Sequence, residues 1–453
     1  MVIGSMFGIG IFLYPPLVAK YTESFSVFIA AWLLGGLISL LGALSYSELG
    51  VLFPKAGGDY TFHKNILGDS TGFASGWLLF LGIFSGSIAT MTSALVFFQL
   101  SSLLDWNFSY ILWSYPWGGT LTLAEFSAVI IILLFSVSNS ISIRLSGNLQ
   151  IILTFIPVTL VLCLCVYGLF TFEPQYPNPE NIPVTESHFD FVKAYLLVYF
   201  AYAGWNAVVY FSGDFENPRR DVPFSLLFGT GATTLFYFIL GAAFVYVLGF
   251  TGLQNVPEAG TAIAGVLGGT KAKIVMTGLI ASAILASLNG TILAGGKIGY
   301  AMARDGTLGF RLSTDHRPAF WQNAIFGAQA LWSILLILTG GFEALTELTS
   351  LAMLVTAGLS MIALFIIRKK TDIQNQLYRF KGFMLAPWIF FIINLGILMV
   401  SIQTALVKMR LEDENSWKAW YSLLGIIIFV VLWLSHIAWT RIKNKSVEHP
   451  TSS

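Results

Sequence analysis

Long apolar runs, separated by short polar breaks, follow one another along almost the whole chain. A helix needs about 20 mostly apolar residues to cross the hydrocarbon core of a bilayer. Twelve runs approach or exceed this length: 1–18, 25–53, 71–104, 121–139, 145–172, 189–215, 223–250, 273–302, 320–340, 342–367, 382–406 and 416–440. The pattern predicts an all-α integral membrane protein with about 12 transmembrane helices.

Composition supports this interpretation and excludes several others. Hydrophobic residues make up 56% of the chain and charged residues only 10%, whereas a soluble domain carries about 25% charged residues. The net charge of +1 offers no basic surface for nucleic acid. No polar stretch is long enough for a soluble domain, so we predict one transmembrane domain over 1–440, in contact with membrane lipid, and a short tail over 441–453.

The distribution of Lys and Arg predicts the orientation. If the N-terminus is cytoplasmic, the cytoplasmic loops hold 16 of the basic residues and the outer loops hold 7. Cytoplasmic loops carry an excess of Lys and Arg. We therefore expect both termini in the cytoplasm and the protein in the cell membrane, which is the inner membrane in a Gram-negative bacterium.

The first span begins unusually late. It has no basic segment ahead of the apolar run and no cleavage site of the A-x-A type, so it is not a signal peptide. Only seven residues precede Gly8, and as a helix they reach about 10 Å. We expect the natural chain to begin further upstream.

Two spans contain breaks at matching places. The first span holds Gly4, Gly8 and Gly10 within seven residues, and each glycine weakens a helix by about 1 kcal/mol relative to alanine. The sixth span holds the small-residue run Ala201 to Gly204, followed by the polar Asn206. Broken helices at equivalent places in two halves indicate the central site of a secondary transporter. Alternatively, the small residues only allow close helix packing.

A broken helix exposes backbone groups that suit a zwitterion. The N–H groups that begin one half-helix attract a carboxylate, and the C=O groups that end the other attract an ammonium group. An amino acid carries both groups. The pattern therefore favours an amino acid as the small-molecule substrate.

Four sequence motifs occur in order along nearly the whole chain. They are Gly8-Ile9-Gly10-Ile11-Phe12; Tyr46-Ser47-Glu48-Leu49-Gly50 with Phe53 to Tyr60; Phe200 to Asn206 with Asn217 to Pro223; and Ser287-Leu288-Asn289-Gly290 with Ala303-Arg304-Asp305-Gly306. By these motifs the chain resembles the amino acid–polyamine–organocation transporters, and within them the L-amino acid transporter group and its bacterial relatives.

The resemblance implies a fold and a set of site residues. The fold is a five-plus-five inverted repeat, about 1–172 and 189–367, with helices one and six broken and two further helices over about 382–440. The implied substrate-binding residues are Ile3, Gly8, Ile9, Gly10, Phe200, Ala203, Gly204 and Asn206. In this assignment the backbone N–H groups around Ile9 and Gly10 hold the carboxylate. Carbonyls near Ile3 and from Phe200 to Ala203 hold the amino group.

Gate roles are assigned to four residues. Phe200 matches the aromatic residue that closes over the substrate from outside. Glu48, late in span two, is expected to pair with a basic group of the inner gate or to reach water. Asp214 lies close to Arg220 at the end of span six, where a gate salt bridge or a solvated helix end is expected. Lys297 is expected to make a structural ion pair.

Three departures from the family pattern modify the assignment. Ile9 replaces a small hydroxyl residue, so one side-chain donor to the carboxylate is missing. Pro157 occupies the fifth-span position that often carries a lysine, which makes this the candidate coupling position. The loop 105–120 contains no cysteine, so we do not expect a disulfide-linked heavy subunit.

No enzymatic chemistry is indicated. The five His share no metal-ligand spacing, and Cys163 and Cys165 lie in an apolar run, so we predict no metal, no cofactor and no catalytic residue. No Walker motif is present, which favours a secondary transporter over an ATP-driven one.

The sequence therefore predicts a carrier of L-amino acids that works by alternating access, with substrate exchange or proton symport. A polyamine or organic-cation carrier, a non-transporting amino-acid sensor and a membrane enzyme are the alternatives.

Overall fold

The computed structural model describes residues 1–114, 120–141, 143–173, 189–308, 318–339, 341–370, 384–410 and 416–448. In these residues almost all of the backbone is helical. The helices are α1 (Val2–Met6), α2 (Ile9–Thr22), α3 (Phe25–Leu52), α4 (Asp59–Leu67), α5 (Asp69–Leu104), α6 (Leu123–Ile141), α7 (Ile143–Thr171), α8 (Phe191–Ala201), a 3₁₀ helix (Trp205–Asp214), α9 (Pro218–Leu248), α10 (Phe250–Gln254), α11 (Ala259–Arg304), α12 (Pro318–Thr339), α13 (Phe342–Lys369), α14 (Ala386–Arg410) and α15 (Ser416–Glu448).

The only strands in the described part are β1 (Ile111–Ser114) and β2 (Thr120–Thr122), which pair antiparallel. They lie in the loop that follows α5. Within α5, two segments are wound as π-helix, Leu78–Phe84 and Leu95–Leu100.

Eleven helices among the described residues are long and apolar enough to cross a membrane. The first predicted span is missing from this set because it is divided into α1 and α2. The predicted all-α, multi-pass membrane architecture is therefore confirmed. The predicted polar break over 251–272 differs from the structure, which forms α10 and the first turns of α11 there. Much of the predicted break over 173–188 and the end of the tail, 449–453, lie outside the described residues.

Each of the two predicted breaks is present. Helix α1 ends at Met6, and α2 begins at Ile9 with Gly8 as its N-cap at φ −145° and ψ −136°. Helix α8 ends at Ala201, and Gly204 adopts φ +96° before the 3₁₀ helix begins. A positive φ is easily reached only by a residue without a Cβ. Gly204 therefore lets the chain turn out of one helix and into the next.

The two breaks lie against each other. A Cβ placed on Gly204 would come within 2.7 Å of the Ser5 carbonyl oxygen, and one placed on Gly10 would come within 2.4 Å of the Ala201 Cα. Both approaches are possible only because no side chain intervenes. Close packing and helix interruption, which the sequence left as alternatives, thus occur together at these glycines.

One tyrosine joins the two breaks from the side. The Tyr237 hydroxyl of α9 lies 2.5 Å from the Met6 carbonyl oxygen and 2.9 Å from the Ala201 carbonyl oxygen, and its single proton is shared between these two acceptors. These carbonyls end α1 and α8, where no intrahelical donor remains. Tyr237 is 1% exposed, so its hydroxyl satisfies helix-end carbonyls that water does not reach.

We predict that Gly204→Ala destabilises the fold. The new Cβ would strain the backbone at positive φ and meet Ser5, at a cost of about 1–3 kcal/mol. Thermal unfolding of the purified protein in detergent should show a lower midpoint. Gly278→Ala in α11 is the matched control, since no atom lies within 4 Å of its Cβ position. Equal midpoints for the two variants would contradict the assigned role of Gly204.

Candidate functional site

A cavity lies at the two breaks. Both breaks contribute to its wall with Ser5, Met6, Gly8, Ile9 and Gly10 on one side and Phe200, Ala201 and Ala203 to Ala207 on the other. Of the eight substrate-binding residues predicted from the sequence, seven line this cavity. The exception is Ile3, whose carbonyl accepts a hydrogen bond from the Phe7 N–H at 2.7 Å inside the helical turn. Ser5 and Met6 reach the cavity instead.

The N-terminus of α2 forms one end of the cavity. No side chain caps this helix, and Gly8, Ile9 and Gly10 all line the space in front of it. The first N–H groups of a helix have no intrahelical acceptor, and the helix dipole adds partial positive charge at the same place. This end of the cavity can bind an anionic group through the backbone alone.

The C-terminal end of α8 supplies the opposite polarity. Phe200 and Ala201 are the last residues of this helix and line the cavity. The Phe200 carbonyl accepts from the Ala203 N–H at 2.9 Å and also from the Tyr202 N–H. Partial negative charge at a helix C-terminus favours a cation. The two helix ends together provide complementary sites for the charged groups of a zwitterion.

The remaining wall is formed by uncharged side chains. Ser87 and Met91 come from α5, Thr291 and Ala294 from α11, and Thr356 from α13. Among the described residues, those that line the cavity include no Asp, Glu, Lys, Arg or His. A side chain that enters this part of the cavity therefore meets hydroxyl, amide, aromatic and apolar groups but no formal charge.

Aromatic residues cover the cavity at Phe200. The Phe200 ring packs edge-on against Tyr14 of α2 at a centroid distance of 5.8 Å. Tyr14 contacts Phe342 at 6.1 Å, and its hydroxyl lies 3.3 Å from Thr346 Oγ1. Tyr14 and Phe200 are both buried. This cluster joins α2, α8 and α13.

A second polar cluster lies between α1, α7 and α11. The Gln150 side chain and Thr154 Oγ1 approach the Cβ position of Gly4 within 2.8 and 2.3 Å. Asn289 Nδ2 donates to Gln150 Oε1 at 3.1 Å. Pro157, the predicted coupling position, is buried further along α7. Gln150 and Thr154, two turns and one turn earlier, are α7 residues that contact the first broken helix.

The sequence missed Gln150 and Thr154 as individual site residues. They belong to the fifth-span stretch that drew attention to Pro157, but the sequence does not show which face of that helix meets Gly4. Gly4 itself was the available signal in the sequence, because close contact between two helices requires a residue without a bulky side chain.

The predicted gate residues have different partners. Glu48 pairs with Arg368 of α13, with Nε to Oε2 at 2.9 Å and Nη2 to Oε1 at 2.5 Å. Asp214 was expected beside Arg220, but it pairs with Lys297 of α11 at 2.7 Å. Arg220 is exposed in the first turn of α9. Only Glu48 is deeply buried among these groups, at 4% exposure.

We predict that Arg368→Met lowers the free energy of unfolding by about 3–5 kcal/mol, because it leaves a buried carboxylate without its partner. The double variant Glu48→Leu/Arg368→Met should recover most of the loss, since it removes both charges. Thermal unfolding in detergent measures both effects. A double variant as unstable as Arg368→Met would show that the pair itself is not what stabilises this contact.

Comparison with known proteins identifies the family. A family model described as amino acid permease matches residues 1–432. The serine/threonine exchanger of Bacillus subtilis is 27% identical over 384 residues, which cover 83% of each chain. The large neutral amino acids transporter small subunit 2 of Oryctolagus cuniculus is 25% identical over 384 residues, 83% of this chain and 70% of that protein. The human cystine/glutamate transporter is 26% identical over 383 residues, 84% of this chain and 74% of that protein. The family and these relatives are membrane transporters and not enzymes, and the chain belongs to the amino acid permease family.

Proposed function

We propose that the protein carries neutral L-amino acids across the cell membrane by alternating access, in exchange for another amino acid. The observation that carries the proposal is the cavity between an uncapped helix N-terminus and a helix C-terminus, with uncharged side chains between them. The α2 N-terminus binds the carboxylate, the α8 C-terminus binds the ammonium group, and the substrate side chain extends toward α5 and α13.

The uncharged wall favours a neutral substrate side chain. Burying an unpaired charge in a protein interior is costly, and no lining residue offers a counter-charge. A polyamine has only cationic groups and would leave the α2 N-terminus facing positive charge. A buried carboxylate, Asp59, accepts hydrogen bonds from Tyr210 and Asn206 but is not among the residues that line the cavity. An amino acid therefore fits the cavity better than a polyamine does.

Exchange is favoured by the relatives. One of them is a serine/threonine exchanger that aligns with 83% of this chain. Alternating access requires the two sides of the site to close in turn, and the Tyr14–Phe200 cluster is one such closure. The cell-membrane location, the cytoplasmic termini and the independence from a disulfide-linked subunit remain predictions.

We expect purified protein in proteoliposomes to take up radiolabelled neutral L-amino acids when the vesicles contain unlabelled amino acid. Uptake into empty vesicles should be much slower, because the return step needs a bound substrate in an exchanger. Putrescine is the control for the polyamine alternative. Uptake into empty vesicles driven by a proton gradient would instead indicate symport, and saturable binding without uptake would indicate a sensor.

We also predict opposite effects for two neighbouring substitutions in α2. Ile9→Ser should retain substrate binding, since it keeps the backbone N–H groups and adds a hydroxyl donor. Gly10→Val should abolish binding, because its Cβ would meet the Ala201 backbone at 2.4 Å and separate the two breaks. Calorimetric titration with the transported amino acid measures both. Equal affinities would contradict the assigned carboxylate site.

A further inference from the structure

The side-chain amide of Asn206 has a fixed orientation at the cavity wall. Its Nδ2 donates to Asp59 Oδ2 at 3.4 Å and to the Tyr210 hydroxyl oxygen at 3.2 Å. A carboxylate has only acceptor atoms, so the NH2 end of the amide must face Asp59. Asn206 lines the cavity, whereas Asp59 does not. The carbonyl oxygen, Oδ1, is therefore the end of the amide that is available to a ligand.

This oxygen has no partner in the described part of the chain, since both hydrogen bonds of the Asn206 side chain there are made by Nδ2. An amide oxygen can accept two hydrogen bonds. Water that reaches the cavity can bind it, and a ligand that displaces this water must replace the hydrogen bond or lose affinity. Asn206 thus places an acceptor in the wall that a bound substrate has to satisfy.

The carboxylate that orients Asn206 is itself held from several sides. Asp59 is 1% exposed. Its Oδ2 also accepts from the Tyr210 hydroxyl at 2.5 Å, and its Oδ1 accepts from Ser360 Oγ of α13 at 2.6 Å. His63 Nε2, one turn further along α4, lies 2.9 Å from the same Ser360 Oγ. These contacts fix the carboxylate between α4, α13 and the 3₁₀ helix, so that it acts on the cavity through its donors and not by direct contact.

The neighbouring hydroxyl groups of the wall have the same polarity. Tyr210 donates its only proton to Asp59, so its oxygen can only accept further hydrogen bonds. Thr356 lines the cavity from α13, one turn before Ser360, and its hydroxyl donates to carbonyl oxygens of its own helix at 3.1 and 3.3 Å. The protons of both hydroxyls are therefore engaged within the protein, and their oxygens remain as acceptors.

Thr291 of α11 repeats this pattern across the cavity. It lines the cavity, and its hydroxyl donates to the Ser287 carbonyl oxygen at 2.8 Å. The Ser87 hydroxyl of α5 also belongs to the wall, and it has no hydrogen-bond partner among the described residues, so it can turn to suit a ligand. The groups whose orientation is fixed by Asp59 or by a backbone carbonyl thus offer acceptors to the substrate side chain.

We propose that Asp59 is a positioning residue that turns the carbonyl oxygen of Asn206 toward the substrate, and that the site prefers neutral L-amino acids whose side chain donates a hydrogen bond. A hydroxyl or carboxamide side chain provides this donor. An aliphatic side chain of the same size leaves the Asn206 oxygen buried without a partner, which is costly. The inference rests on the proposed function and names the substrate class of that same site.

The test compares the affinities of L-threonine and L-valine, which have nearly the same shape and differ by a hydroxyl in place of a methyl group. Calorimetric titration of the purified protein measures both, with glycine as a ligand that has no side chain. The wild-type protein should bind threonine at least about tenfold more tightly than valine, because only threonine satisfies the Asn206 oxygen.

Asp59→Asn should lower the threonine-to-valine ratio of affinities several-fold. The neutral amide holds the Asn206 NH2 group less firmly, and it offers a donor of its own to which the Asn206 oxygen can turn. The loss should fall on threonine and not on glycine, whereas a merely structural defect would weaken the binding of both. Asn206→Leu, which removes the oxygen itself at similar size, should bring the ratio close to one.

Asp105→Asn is the matched control. Asp105 is exposed at the end of α5 in a left-handed conformation that asparagine adopts readily, and its variant should keep the wild-type ratio. A wild-type protein that binds valine as tightly as threonine, or that binds only amino acids without a side-chain donor, would overturn the inference.

An Asp59→Asn variant with the wild-type ratio would overturn the positioning role of Asp59. If that variant does not fold, an unchanged ratio in Asn206→Leu would overturn the inference equally. A wild-type protein that binds no neutral amino acid would instead contradict the proposed function.

Discussion

The structure depends on the direct contact between two interrupted helices. Gly204 lies against the Ser5 carbonyl, and Gly10 lies against the Ala201 backbone, at distances that leave no room for a Cβ. This contact brings the beginning of α2 and the end of α8 to the same cavity, so that opposite helix-end charges face a shared space. Unpaired backbone groups are tolerated at membrane depth only where protein or water satisfies them. The Tyr237 hydroxyl satisfies the carbonyl groups of Met6 and Ala201. The first N–H groups of α2, which no side chain caps, remain for a ligand.

The distribution of charge follows from this arrangement. In the described part of the chain, the cavity wall carries no ionisable acid or base apart from tyrosines, so under the proposed function the backbone would provide the polarity that orients a zwitterion. The buried charged side chains of Glu48 and Asp59 do not line the cavity. Glu48 is neutralised by Arg368, whereas Asp59 is stabilised by hydroxyl and amide donors that also shape the cavity.

Much of the membrane architecture could be predicted from the sequence, because apolar runs of sufficient length and glycine-rich interruptions are local signals. The apolar runs at helices α3, α5 to α9 and α11 to α15 and the breaks at Gly8 and Gly204 belong to this group. Contacts between distant segments could not be predicted in the same way. Asp59 lies in the Phe53 to Tyr60 motif, but its partner Ser360 is 301 positions later in the sequence. Asp214 was placed beside Arg220 by proximity in sequence, yet helix packing brings it to Lys297.

The central claim is that backbone N–H groups at the start of α2 bind the substrate carboxylate. The most direct measurement is calorimetric binding of a transported neutral L-amino acid and of its primary amide, which keeps the ammonium group and the side chain but has no negative charge. The account predicts that the amide binds far more weakly than the amino acid. Equal affinity for the two compounds would contradict it, because the α2 N-terminus would then make no contribution that depends on the carboxylate.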